Sequence, residues 1–137
     1  RAESFFNVAT KIDEMDSTLL QSYGGTSLHR QSHGESFLSL VQNRFGGNGL
    51  YILDEPEAAL SPMSLMTLIV EIDALVKQGS QFIIATHSPI LMAFPGSQVF
   101  LFSEKGIEKT DYRKTEHYQI TRYFLENPEK MFRHLLG

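Results

Sequence analysis

Three short segments carry side chains that can do chemistry. Asp54 and Glu55 stand side by side after a short apolar run and before Pro56. An Asp there can hold magnesium, a hard cation that favours carboxylate and water oxygens. A Glu beside it can orient or deprotonate a water. The same pair also reads as a solvated acidic turn. His87, in Thr86-His87-Ser88-Pro89, follows a second apolar run. Its imidazole can reach a phosphate or an attacking water, or it is a turn histidine held by Ser88 or a backbone group. Ser32-His33-Gly34-Glu35 opens a helical pattern. Ser at the N-cap with Glu three residues on is a capping box. The free N–H groups of such a helix start are equally an anion site, and Gly34 permits close approach.

The elements that must position these residues are legible from periodicity and punctuation. A helix is expected over 2–14, a loop over 21–31, and a helix from Ser32 to about Asn43. Gly46-Gly47-Asn48-Gly49 breaks the chain before Leu50–Leu53, which reads as a buried strand. Ser61-Pro62 starts a helix whose buried stripe is expected to be Leu65, Met66, Leu68, Ile69, Ile72, Leu75 and Val76, ended by Gly79. Gln81–Ala85 reads as a second buried strand. A short helix through Met92 follows, then strands at Val99–Phe102 and Ile107–Tyr112. Helices over 117–126 and 129–135 close the chain. Strands alternating with amphipathic helices predict an α/β fold with a mostly parallel sheet covered on both faces. Ligands in such sheets sit at the carboxyl ends of the strands, where Asp54, Glu55 and His87 fall. A right-handed crossover between the two strands brings those ends to one edge.

Composition bounds the rest. The 137 residues suit one modest domain, and 42% hydrophobic with 20% charged residues is a globular composition. The net charge is -4, without the basic footprint of a duplex-DNA binder. Its acidity lies in residues 1–61, with 4 basic and 8 acidic side chains. The absence of cysteine excludes disulfides, thiolate zinc sites and cysteine nucleophiles. Apolar stretches fall far short of the roughly 20 residues of a membrane span. No signal peptide is visible in the opening Arg1-Ala2-Glu3-Ser4. His29, His117 and His134 show no metal-ligand spacing. Tyr118, Tyr123, Phe124 and Phe132 lie at roughly helical spacing and read as core contacts. The basic residues after 104 alternate with acids and read as a solvated face.

In order and spacing, the segments over 31–88 resemble the ABC-type ATPases, a branch of the P-loop NTPases. Gln31–Glu35 looks like the signature motif, and Leu50–Pro56 like the Walker B strand with its catalytic Glu. Glu57-Ala58-Ala59-Leu60-Ser61 looks like the D-loop and Ala85–Ser88 like the switch-histidine loop. The flanks Arg1–Thr10 and Glu116–Leu136 are similar to small stand-alone bacterial ABC-like ATPases of the AAA type, often labelled transporter ATP-binding proteins.

The resemblance implies roles. Asp54 would bind magnesium through water, and Glu55 would polarise the attacking water. His87 would contact the γ-phosphate of ATP. Ser32, Gly34 and Glu35 would meet a nucleotide bound to a second protomer. Ala59, Leu60 and Ser61 would form the D-loop, and the protein would be a head-to-tail homodimer in the cytoplasm or peripheral to the inner membrane. Two positions depart from the pattern: His33 replaces a second Gly of the signature, and Ser61 replaces the Asp ending the D-loop.

No Gly-x-x-x-x-Gly-Lys-Ser/Thr occurs. Residues 1–49 are therefore expected to be the helical signature region and 50–137 the Walker B to C-terminal α/β region of one ATPase domain. The phosphate loop and its strand would lie in about 100 residues outside this chain. The isolated chain is expected to have negligible ATP affinity. ATP hydrolysis is the expected function, with membrane transporter subunits as conceivable partners. The alternatives are a non-hydrolysing module lending a signature motif to a partner, or a soluble ATPase of the DNA-repair or defence type.

Overall fold

The computed structural model describes residues 33–137. Two compact units divide at Thr86/His87. The expected helix over 2–14, the loop over 21–31 and Ser32 lie outside the described residues.

The first unit is a strand–helix–strand motif with one helix added before it. Helix α1 (His33–Arg44) leads into β1 (Leu50–Asp54), a 3-10 turn (Pro56–Ala59), helix α2 (Pro62–Lys77) and β2 (Gln81–Ala85). The two strands pair in parallel, Leu50 opposite Gln81 and Asp54 opposite Ala85. A parallel pair needs a long crossover, and α2 supplies it. Ser61 caps that helix, its hydroxyl accepting from Ser64 N at 3.1 Å, with Pro62 in the first turn. At the other end Gly79 takes φ 89, the left-handed conformation that stops a helix. A side chain there would also meet Asn48 Oδ1 at 2.5 Å.

Leu65, Leu68, Ile72 and Leu75 form the buried face of α2, and Leu68 has no exposed surface. Each such side chain contributes about 1.5–3 kcal/mol by leaving water. The buried stripe is narrower than expected, because Met66 and Val76 lie off it and are exposed. Phe37 and Val41 are buried on α1, which packs against α2. Helix α2 in turn packs on β2.

A polar clasp aligns the starts of the two strands. Ser80 Oγ donates to Gly46 O at 2.6 Å and accepts from Gly49 N at 3.1 Å. Gln81 N donates to Gly49 O, and Asn48 N to Gln78 O. Tyr51 reaches back, its hydroxyl bonding the Gly46 backbone while its ring stacks on Phe45 at 4.0 Å.

The strands are not buried on both faces, as their apolar runs predict. Leu53 is buried, while Ile52 is 72% and Ile83 52% exposed. Alternate residues of a strand point to opposite faces. Tyr51, Leu53, Phe82 and Ile84 occupy the more covered face, and Leu50, Ile52 and Ile83 the open one.

The second unit holds a short helix α3 (Pro89–Met92), strands β3 (Val99–Ser103) and β4 (Gly106–Thr110), a 3-10 turn (Tyr112–Lys114), and helices α4 (Glu116–Glu126) and α5 (Pro128–Leu136). β3 and β4 pair antiparallel, from Val99 opposite Thr110 to Ser103 opposite Gly106. Glu104-Lys105 leaves no length for a parallel crossover, and Gly106 takes φ 112 at the turn. The α/β fold with its parallel pair is as expected, but this hairpin is a sheet of its own. β4 ends earlier than expected, because Asp111 accepts from Arg113 N at 2.8 Å and starts the 3-10 turn. Helices α4 and α5 pack together, with Phe124 edge-on to Phe132 at 5.5 Å. The expected core role of Tyr123 and Phe132 is not observed. Both are more than half exposed, since the apolar faces of these helices extend past their mutual contact.

Candidate functional site

The acidic segment is built where β1 stops. Asp54 is the last strand residue, half-buried and opposite Ala85. Glu55 extends the pairing by one bond, donating its N–H to Ala85 O at 2.7 Å. The backbone then turns sharply, with Glu55 at φ 49, ψ 54. The following proline disfavours the right-handed helical region for Glu55, and a left-handed turn is the exit taken. For a residue with a Cβ this conformation costs roughly 1–2 kcal/mol. Such strain is held by the surroundings and concentrates where function requires a particular placement. Here the Ala85 bond on one side and buried Pro56 on the other hold it.

The 3-10 turn Pro56–Ala59 closes through Ala58 N to Glu55 O and Leu60 N to Glu57 O, both 3.1 Å. Glu57 Oε1 accepts from Thr86 Oγ1 at 2.7 Å. The turn after β1 is thereby fastened to the segment that leaves β2. Ala59 is half-buried beside Leu60, and Ser61 begins α2 as its cap.

Gly34 approaches this turn from α1. A Cβ at Gly34 would lie 2.3 Å from Ala59 O and 3.2 Å from Leu60 Cδ2. Only a residue without a side chain fits that approach. The segments resembling the signature and the D-loop are therefore packed backbone to backbone within one chain. Glu35, in the first turn of α1, is exposed. The capping box cannot be drawn, since Ser32 is outside the described residues.

His87 belongs to the second unit, where its exposed ring meets His117. Nδ1 of His87 lies 3.0 Å from Nε2 of His117, with the ring planes 27° apart. Ser88 caps the short helix α3, accepting from Leu91 N. Sequence reasoning placed His117 among scattered histidines. No spacing signal links residues thirty positions apart on a loop and a helix. The Glu57–Thr86 bond and the Gly34–Ala59 approach were likewise invisible, though the latter has a sequence trace in the glycine itself.

A hard oxygen donor at the carboxyl end of a parallel strand fits magnesium, which takes one or two protein carboxylates and completes its shell with phosphate and water. Asp54 has that chemistry and that place, as the last residue of β1. Among the described residues no group of three or more His, Asp or Glu side chains converges to hold a metal.

A family described as "AAA domain, putative AbiEii toxin, Type IV TA system" matches residues 26–93, which span α1, β1, the 3-10 turn, α2, β2 and the His87 segment. The match covers just under half of the chain and marks it as similar to the ABC-like P-loop ATPases. An uncharacterized ABC transporter ATP-binding protein of Haemophilus influenzae is 28% identical over 110 residues, 78% of this chain and 42% of that protein. The UvrABC system protein A of Lactococcus lactis is 37% identical over 68 residues, 47% of this chain and 7% of that protein. The chain thus spans less than half the length of each relative. No solved structure matches.

Proposed function

We propose that the full-length protein binds and hydrolyses ATP between two head-to-tail copies. The observation that supports this most directly is Glu55. It stands immediately past the end of a parallel strand, in a strained backbone conformation fixed by its bond to Ala85. The Glu55 carboxylate orients a water and accepts its proton as the oxygen bonds to the γ-phosphorus and ADP leaves. Asp54 would hold magnesium, which would supply neutralisation of the phosphate charge. His87 donates a hydrogen bond to a γ-phosphate oxygen. Ser32 and Gly34, with Glu35 beside them, cap the phosphate of a nucleotide on the second protomer. Ala59, Leu60 and Ser61 act as the D-loop, and the contact of Gly34 with Ala59 supports joint movement of D-loop and signature.

The location we assign is the cytoplasm, with the periphery of the inner membrane as the alternative. Among the described residues no helix is long and apolar enough to cross a membrane. The similarity to the ABC transporter ATP-binding protein of Haemophilus influenzae is the ground for placing membrane transporter subunits among the partners.

The test is Glu55→Gln in the full-length protein. Turnover should fall by at least ~100-fold, the lower end of a general base's contribution, while ATP binding persists and the homodimer with ATP becomes more stable. Native mass measurement reads the dimer. Undiminished turnover removes Glu55 from this role, and a complex with a different chain in place of the homodimer favours a module that lends its signature to a partner.

A further inference from the structure

We infer that His117 is a positioning residue for His87, fixing which ring nitrogen of His87 carries the proton. The inference rests on the ATPase reading, which decides between the two tautomers, while the geometry of the pair stands within the second unit alone.

Two imidazole nitrogens 3.0 Å apart share one hydrogen between them. If His87 Nδ1–H donates, the Nε2 of a neutral His87 presents a lone pair, which repels a phosphate oxygen. If His117 Nε2–H donates, His87 carries its proton on Nε2 and presents a donor. The hydrogen bond made by one ring nitrogen sets the state of the other. For a neutral His87 a phosphate contact needs the second arrangement, in which His117 is the donor and His87 the Nε2–H tautomer.

The placement of His117 is over-determined by its neighbours. Thr115, buried, caps α4: its hydroxyl donates to Tyr112 O at 2.7 Å and accepts from Tyr118 N at 3.2 Å. Thr115 Oγ1 also lies 3.9 Å from Met92 Sδ, at the end of the short helix that follows His87. Gln119 Nε2 donates to Arg113 O, and the Tyr112 ring meets Tyr118 edge-on at 5.4 Å. The first turn of α4 is thus a fixed platform, and His117 is its second residue.

The test uses full-length protein labelled with 15N at histidine. The His87 ring signals are assigned by their loss in His87→Gln. We expect a protonated Nε2 and an unprotonated Nδ1 in the parent, a mixture of tautomers in His117→Phe, and the parent pattern restored in His117→Gln, whose amide can still donate. Turnover should fall about tenfold or more in His117→Phe, the scale on which outer hydrogen-bond partners of functional histidines act, and recover in His117→Gln. An Nδ1–H tautomer in the parent, or an unchanged pattern in His117→Phe, overturns the inference; the first also removes the phosphate contact given to His87, while the roles of Asp54 and Glu55 stand. Failure of the ATPase reading appears separately, as unaltered turnover in Glu55→Gln, and the tautomer measurement then still decides the pair.

Discussion

Thr86 Oγ1 donates to Glu57 Oε1 across 2.7 Å, joining the residue after β2 to the turn after β1. Both side chains are half-buried. The bond makes the exit of one strand depend on the exit of the other. A hydrogen bond to a charged acceptor is among the stronger kind.

Thr86→Val keeps the shape and removes the donor. Stability should fall by about 1–2 kcal/mol, toward the lower end for a partly exposed charged bond. Urea midpoints at constant slope read the change. A double-mutant cycle with Glu57→Gln assigns it to the pair, and no coupling between the two would sink the attribution.

At Glu55 stability and activity are expected to move in opposite directions. Glu55→Gly removes the carboxylate and relieves the left-handed strain at φ 49. Thermal melting should show it more stable than Glu55→Gln by up to about 1 kcal/mol, after the entropy glycine loses on folding. Both variants should have lost turnover. A glycine variant that melts below the glutamine one contradicts the strained backbone.

Gly34→Ala would normally improve a helix by about 1 kcal/mol. Here its Cβ would sit 2.3 Å from a backbone oxygen. Overpacking of this kind costs about 1–3 kcal/mol, so a net loss of stability is expected. An alanine variant as stable as the parent would show that the helix start can retreat from Ala59 freely.

Leu68→Ala empties the centre of the α2 interface. The expected cost is about 2–5 kcal/mol, measured by denaturant unfolding. A loss below about 1 kcal/mol would mean that the neighbouring side chains can close the space.

The local elements were well marked in the sequence because their signals are local. Ser61-Pro62 and Gly79 bracket α2, and β2 occupies the expected Gln81–Ala85. The segment that resembles a D-loop gave no warning of a 3-10 turn, since only Pro56 hints at its start. What periodicity could not convey was which face of a strand is covered. Leu50, Ile52 and Ile83 share the apolar character of buried residues, yet they are exposed. Their coverage depends on what stands above the sheet, which no residue in the strand encodes. The candidate site divides the same way. Asp54, Glu55 and His87 were found from residue type beside an apolar run. Their companions Glu57, Thr86 and His117 were not, because the pairing depends on folding over 29 and 30 positions.

The Ser80 clasp lies at the end of the sheet remote from the acidic turn, and its effect is one of tolerance. One hydroxyl bridges two backbone groups ahead of β1, so the strands begin level with each other. Five residues later that levelness is spent on a single bond, Glu55 N to Ala85 O. A slip of one residue would carry Glu55 past Ala85 and turn every side chain of the strand over. The accuracy with which the carboxylate is aimed is therefore set by a serine at the opposite rim, as the foot of a ruler fixes the reading at its tip.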